Sequence, residues 1–270
     1  PAPARKKDWG LMQVDVVGRH RPPFARTLLV HGAVAAGVRW NGEAVAASNW
    51  VVKRWPDKSV RRKVDVEVHE KIRANPCDWV VEIAGVHSND GVLMEFCREG
   101  DLQTLMGTSR RRYTPVKVIA TLVSQIFRAL SHLHQIKIVH SDVSPQNVFL
   151  RKDKSGEIEC VLGDFGHSYV VEQHAESRSS VHQGHGSIYV APEVQSGSIS
   201  TMASDVYSAG KILDQMIAAS RHFKEEFEKE SKVLVRNLTV LVERCTVEQP
   251  KERWRSADAC RLLQRALPRD

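Results

Sequence analysis

The stretch "IVHSDVSPQNVFL", residues 138–150, sets His140, Asp142 and Asn147 at fixed spacing between two apolar runs. Apolar, β-branched residues on both sides predict a loop that connects buried segments and carries these polar side chains. Pro145 turns the chain within that loop and brings Asn147 back. Upstream, Thr114-Pro115 reads as an N-cap followed by proline at the first helical position, and Ile119, Leu122, Val123, Ile126, Leu130 and Leu133 then mark one helical face. Downstream, a hairpin turning at Lys154-Ser155-Gly156 has "IECVL" as its second strand and delivers Gly163-Asp164-Phe165-Gly166.

The rest of the chain divides into a β-rich first half and a helical second half. Residues 1–27 carry Pro22-Pro23 and read as an N-terminal extension. From Arg26 to Trp55 the chain is rich in Val and Trp, with the hairpin signal Asn41-Gly42 and a strand ending in "WVVKRW". Val60, Val64, Val68 and Ile72 recur every four positions, which predicts an amphipathic helix over 59–74, stopped by Asn75-Pro76. Two further β-runs follow, "WVVEIAGV" and "GVLMEFC".

Composition excludes several classes. A chain of 270 residues, 42% hydrophobic and 26% charged, is that of a folded globular protein with one large domain or two lobes. The net charge of +7 is concentrated in part at Arg5-Lys6-Lys7, Arg61-Arg62-Lys63 and Arg110-Arg111-Arg112. These triplets are scattered and lack interleaved aromatics, so they read as solvated surface and not as a nucleic-acid site; contact with an anionic membrane is the open alternative. Five cysteines form no C-x-x-C pair, which argues against zinc, and a Cys245–Cys260 bridge stays open. No apolar run approaches the length of a transmembrane segment, and "PAPARKKDWG" lacks the apolar core of a signal peptide.

Taken in order, these motifs resemble those of a protein kinase. His140-Ser141-Asp142 with Asn147 is similar to the catalytic loop, Asp164-Phe165-Gly166 to the metal loop, and Ala191-Pro192-Glu193 to the close of the activation segment. The resemblance implies a two-lobed α+β fold, with a small β-rich N lobe over 28–97 and a helical C lobe over 98–270. It further implies that ATP sits between the lobes. Lys53 would meet its phosphates. Met94 would be the gatekeeper, Glu95 and Cys97 would belong to the hinge, and Asp101 would contact the ribose. Asp142 would accept the proton of a substrate hydroxyl, while Asn147 and Asp164 would hold Mg²⁺ or Mn²⁺. Asp205 would brace the catalytic loop, and Arg253 would pair with Glu193. Glu67 is the carboxylate expected to fix Lys53, with Glu70 and Asp65 as alternatives.

Three departures bear on activity. The glycine-rich loop is degenerate, because "LLVHGAVAAGVRW" offers only Gly32 and Gly37 and cannot bring several bare N–H groups to a triphosphate. In this the chain resembles the With-No-Gly-loop kinases and pseudokinases secreted by coccidian parasites, which implies a secreted protein. Ser144 stands two residues after Asp142, where serine/threonine kinases place a lysine, and Ser141 replaces the arginine that reads activation-loop phosphorylation at sites such as Ser177, Ser179 and Ser180. The activation segment is a residue short before Ala191, which leaves the role of Ser187 open, and it holds His167, His174, His182 and His185. Two functions follow: a divergent serine/threonine kinase acting on protein substrates, or a pseudokinase that binds protein partners as a scaffold.

Overall fold

The computed structural model describes residues 50–54, 61–87, 91–109, 114–171, 187–222, 227 and 229–267, together with the backbone of strands at 14–16, 26–30, 39–40 and 43–44. Residues 31–38 of the glycine-loop stretch, the basic triplets at 5–7 and 110–112, the three serines at 177–180 and His174, His182 and His185 lie outside the described residues.

Alternating apolar residues in the first half form one antiparallel sheet. Its strands are β1 (Val14–Val16), β2 (Arg26–Val30), β5 (Trp50–Arg54), β6 (Ile83–His87) and β7 (Gly91–Glu95), in the order β1-β2-β5-β7-β6. The Asn41-Gly42 signal corresponds to a separate small hairpin of β3 (Arg39–Trp40) and β4 (Glu43–Ala44). Lys53 pairs across the sheet with Val92, and Val51 with Met94, so the centre of the sheet holds both residues expected in the nucleotide cleft. Helix α1 (Arg61–Ala74) packs against β6 and turns Val64, Asp65, Val68, His69 and Ile72 inward. It stops where expected: the Asn75 amide donates to Lys71 O at 2.8 Å and its N–H to Ile72 O at 3.0 Å, satisfying carbonyls that Pro76 could not.

The second half is organised around α3 (Val116–Gln135), preceded by the short α2 (Leu102–Ser109). Leu122, Ile126, Phe127, Leu130 and Leu133 of α3 are fully buried against α5 (Met202–Arg221), α6 (Lys232–Cys245) and α7 (Ser256–Ala266). By length and composition α3 is apolar enough to cross a bilayer, but its apolar side chains form the core of this lobe. Its N-terminus differs from the reading of Thr114 as N-cap. The helix starts at Val116 after an extended Pro115, and the Val116 N–H is capped by Glu230 Oε1 at 2.9 Å, from a segment far along the chain. Thr114 contributes its carbonyl, which accepts from Ser220 Oγ at 2.9 Å. Helix α4 (Pro192–Gln195) is a single turn that carries Glu193.

Two small pairs of strands hang the chemistry on this helical body. β8 (Ile138–Val139) pairs with β11 (Tyr169–Val170), and β9 (Val148–Lys152) with β10 (Ile158–Leu162). Gly210 lets α5 and α6 approach closely, since a Cβ there would fall 2.8 Å from Cys245 Cβ. The open Cys245–Cys260 pairing is not formed: both are free thiols, pushed up by burial to about 12 and about 11.

A clasp joins the two halves. Arg151 of β9 donates through Nη1 to both carboxylate oxygens of Glu95 at 2.9 Å, through Nε to Glu159 at 2.6 Å and through Nη2 to Asp78 O at 2.8 Å. Beside it, Val81 N donates to Leu162 O and Leu162 N to Trp79 O. The architecture is the two-lobed α+β arrangement, with a strand-rich lobe carrying one helix and a helical lobe after it.

Candidate active site

The loop between β8 and β9 is shaped by one buried carboxylate. Asp205, near the start of α5, accepts from His140 N at 2.8 Å through Oδ2 and from Ser141 N at 2.9 Å through Oδ1. It thereby holds Ser141 at φ 69°, a left-handed conformation that costs a residue with a Cβ about 1–2 kcal/mol. His134 of α3 donates from Nε2 to the same Oδ2 at 3.1 Å, while its Nδ1 meets Ser256 Oγ at 3.0 Å. No sequence signal had singled out His134; in hindsight, its place on the polar edge of an apolar helix, four residues after Leu130, was the available one.

From this anchor the reactive groups are set in turn. The His140 ring donates from Nε2 to Gly163 O at 2.9 Å and accepts at Nδ1 from Asp142 N at 3.3 Å, tying the catalytic loop to the metal loop. Asn147 donates its amide to Asp142 O at 2.8 Å and Asp142 Oδ2 at 2.9 Å, and Gly163 N donates to Asn147 O at 2.9 Å. With both amide donations directed at Asp142, the Asn147 side-chain oxygen is left as an acceptor group. Gly163 sits where a Cβ would lie 2.8 Å from the Phe149 ring and 2.9 Å from Val81, so any larger residue requires those side chains to shift.

Asp164 follows in a left-handed conformation at φ 57°, its carboxylate accepting from Gly166 N at 3.2 Å and bonded to Lys53 Nζ. Burial works to raise its carboxyl, but the Lys53 charge and hydrogen bond outweigh this and hold it well below the usual carboxylate range. Phe165, fully buried, stacks between two histidines: His69 edge-on at 5.8 Å and His140 tilted at 5.3 Å.

The structure brings Lys53, Asp142, Asn147 and Asp164 into one connected cluster. Among the described residues the carboxylate bonded to Lys53 is Asp164, where Glu67 was the expected partner. Glu67 sits at a half-buried position of α1, whereas the face turned inward carries Asp65 and His69. Met94 is buried in β7, and Glu95 turns its carboxylate to Arg151. Cys97 is a buried thiol pushed up to about 12 by burial. Asp101 Oδ1 accepts from Thr104 N at 2.7 Å, so the carboxylate expected at a ribose caps α2. Glu193 and Arg253 form the expected pair, with two bonds of 2.7 Å.

His69 yields a pH prediction. Burial lowers its ring to about 4, assisted by the Lys53 charge and opposed by its hydrogen bond to Asp65 O and by Asp164. Below pH 6.5 the unfolded chain takes up a proton that the folded chain refuses until about pH 4. Stability therefore falls with pH across that window, by about 1.4 kcal/mol per unit from this group. Urea midpoints measured at pH 4.5 and pH 7 are expected to differ less in His69→Leu than in the unsubstituted protein; equal differences would refute the assignment.

Under the catalytic loop lies a cavity of about 380 Å³ lined by Asp142, Ser144, Gln146, His167, Gln103 and Val194, among others. Its position beside Asp142 suits an acceptor side chain. Among the described residues no group of three or more His, Cys, Asp or Glu side chains converges as a metal cage. Asn147 and Asp164 instead offer an amide oxygen and a carboxylate, a set that fits a hard cation sharing its remaining positions with phosphate and water.

Comparison with known proteins agrees with this geometry. The family model described as protein kinase domain matches residues 31–270. The chain is 31% identical over 193 residues to the probable serine/threonine-protein kinase zyg-1 of Caenorhabditis elegans, covering 70% of this chain and 26% of that protein. It is 32% identical over 212 residues to the serine/threonine-protein kinase ULK3 of Rattus norvegicus, covering 76% of this chain and 41% of that protein. It thus spans well under half the length of these relatives. Matched over nearly its whole length, and with its catalytic and metal loops joined as above, the chain belongs to the protein kinase domain family.

Proposed function

We propose that this chain is a divergent serine/threonine protein kinase that transfers the γ-phosphate of ATP to a protein hydroxyl without a glycine-rich loop. The observation that supports this reading is the bonded series Lys53–Asp164 and Gly163–Asn147–Asp142, which joins an ammonium, two carboxylates and an amide through short contacts. Asp142 orients the acceptor hydroxyl and takes its proton. Lys53 supplies charge to the α- and β-phosphates, and the adenine lies by the segment from Met94 to Cys97. Mg²⁺ or Mn²⁺, held by Asn147 and Asp164, would supply neutralising charge to the phosphates. The degenerate glycine stretch, with only Gly32 and Gly37 between residues 30 and 38, supports a likeness to the With-No-Gly-loop branch of coccidian parasites, and a secreted location accompanies that proposal.

The second reading is a pseudokinase scaffold. It is favoured by the mutual satisfaction of Lys53 and Asp164, which leaves the cluster stable without nucleotide, and by the neutral Ser144. A thermal-shift titration with ATP and Mg²⁺ or Mn²⁺ separates the two. The kinase reading expects a shift, about 2.7 kcal/mol of added stability at a hundred times Kd. That shift is lost in Asp164→Ala, and phosphate transfer is lost in Asp142→Asn. Absence of any shift at millimolar nucleotide leaves the scaffold.

A further inference from the structure

The cavity beneath the catalytic loop has a charge problem. Among the described residues that line it, the carboxylates are Asp142 and Asp205, and Ser144 offers no charge. A phosphoryl group in transfer carries negative charge on its non-bridging oxygens, so a wall of this character repels it unless a donor stands opposite. His167 is the one side chain in the described lining that can carry a positive charge.

His167 is also held firmly. It ends the short 3-10 turn Phe165–His167, whose first residue is locked between the His69 and His140 rings. On its other side, Ser168 is buried, donating from N to Phe165 O at 3.0 Å and from Oγ to His140 O at 2.9 Å. Tyr169 then pairs with Val139 in the β11–β8 ladder. The backbone of His167 is thus pinned on both flanks to the loop that carries Asp142, and its side chain lines the same cavity as Asp142.

We infer that His167 is a further catalytic residue, its ring N–H donating to a non-bridging oxygen of the phosphoryl group as it passes to the acceptor. The inference rests on the kinase reading above. In the step, the acceptor oxygen bonds to the γ-phosphorus as the bond from that phosphorus to the β,γ-bridging oxygen breaks. ADP leaves with the electron pair, the acceptor proton passes to Asp142, and His167 keeps its own proton.

The test compares the unsubstituted chain with His167→Ala, His167→Gln and His167→Arg. One arm measures kcat with labelled ATP and casein; the other measures the thermal shift given by ADP and Mg²⁺, with and without aluminium fluoride as a mimic of the phosphoryl group in transfer. His167→Ala is expected to lose kcat on the order of a hundredfold. It should keep the ADP shift, which also reports that it folds, and lose the extra stabilisation from aluminium fluoride. His167→Arg should recover more of both than His167→Gln. An active chain in which His167→Ala stays within about threefold in kcat, or keeps the aluminium fluoride increment, overturns this inference alone. An unsubstituted chain that binds ADP yet neither transfers phosphate nor responds to aluminium fluoride overturns the kinase reading, and this inference with it.

Discussion

Arg253→Ala is expected to lower the free energy of unfolding by about 3–5 kcal/mol. The Arg253 side chain is fully enclosed, and it donates to Glu193 Oε1 and Oε2, to Val247 O at 2.6 Å, to Glu248 O at 2.8 Å and to Ala203 O at 3.2 Å. Its guanidinium also lies 4.9 Å from the centre of the Tyr207 ring. Truncation leaves the Glu193 carboxylate without its counter-charge and three carbonyls without their donor, in a protein whose whole margin is on the order of 5–15 kcal/mol. Arg253→Lys should recover only part of the loss, because a single ammonium cannot copy a planar fork that serves several acceptors at once. Urea denaturation monitored by tryptophan fluorescence gives the number; a loss under about 1 kcal/mol would show that the pair is ornamental.

Asp205→Ala is expected to have an effect of similar size. It strips the acceptor from two backbone N–H groups, those of His140 and Ser141, and from His134 Nε2. An unsatisfied buried donor costs about 1–3 kcal/mol, so the expected loss is about 3–5 kcal/mol. Ser141 is then free to leave its left-handed conformation, which moves Asp142, so catalysis should fail even where the fold survives at low temperature. Asp205→Asn is informative because it keeps the volume. Its single carbonyl oxygen serves one N–H, and its amide N–H₂ faces the other donor. Hydrogen exchange at the His140 and Ser141 amides reads the difference directly, and unchanged protection in both variants would refute the bracing role.

Much of this site was legible because its parts are local. Asp142, Asn147 and Asp164 sit in short motifs, and the resemblance of those motifs, taken in order, to the catalytic and metal loops of a protein kinase implied their convergence. The α1 carboxylate was harder. Successive residues of a helix point about 100° apart, so an uncertainty of one or two residues in where the helix begins turns Glu67 inward or outward, and only the packed structure sets Asp65 and His69 on the inner face. Helix α2 was missed although Leu102, Leu105 and Met106 follow a capping Asp101; at eight residues it is too short for periodicity to outweigh the turn signal of Gly100. The free state of Cys245 and Cys260 and the capping of α3 depend on contacts between distant segments, which no local pattern encodes.

The capping of α3 by Glu230 has a consequence for synthesis. The central helix of the larger lobe begins at Val116, yet the carboxylate that caps its first N–H emerges more than a hundred residues later. During translation that turn must wait, exposed and fraying, until the ribosome has released Glu230. Nascent chains stalled before that point should therefore be cut by protease near Val116, and chains stalled well beyond it should not.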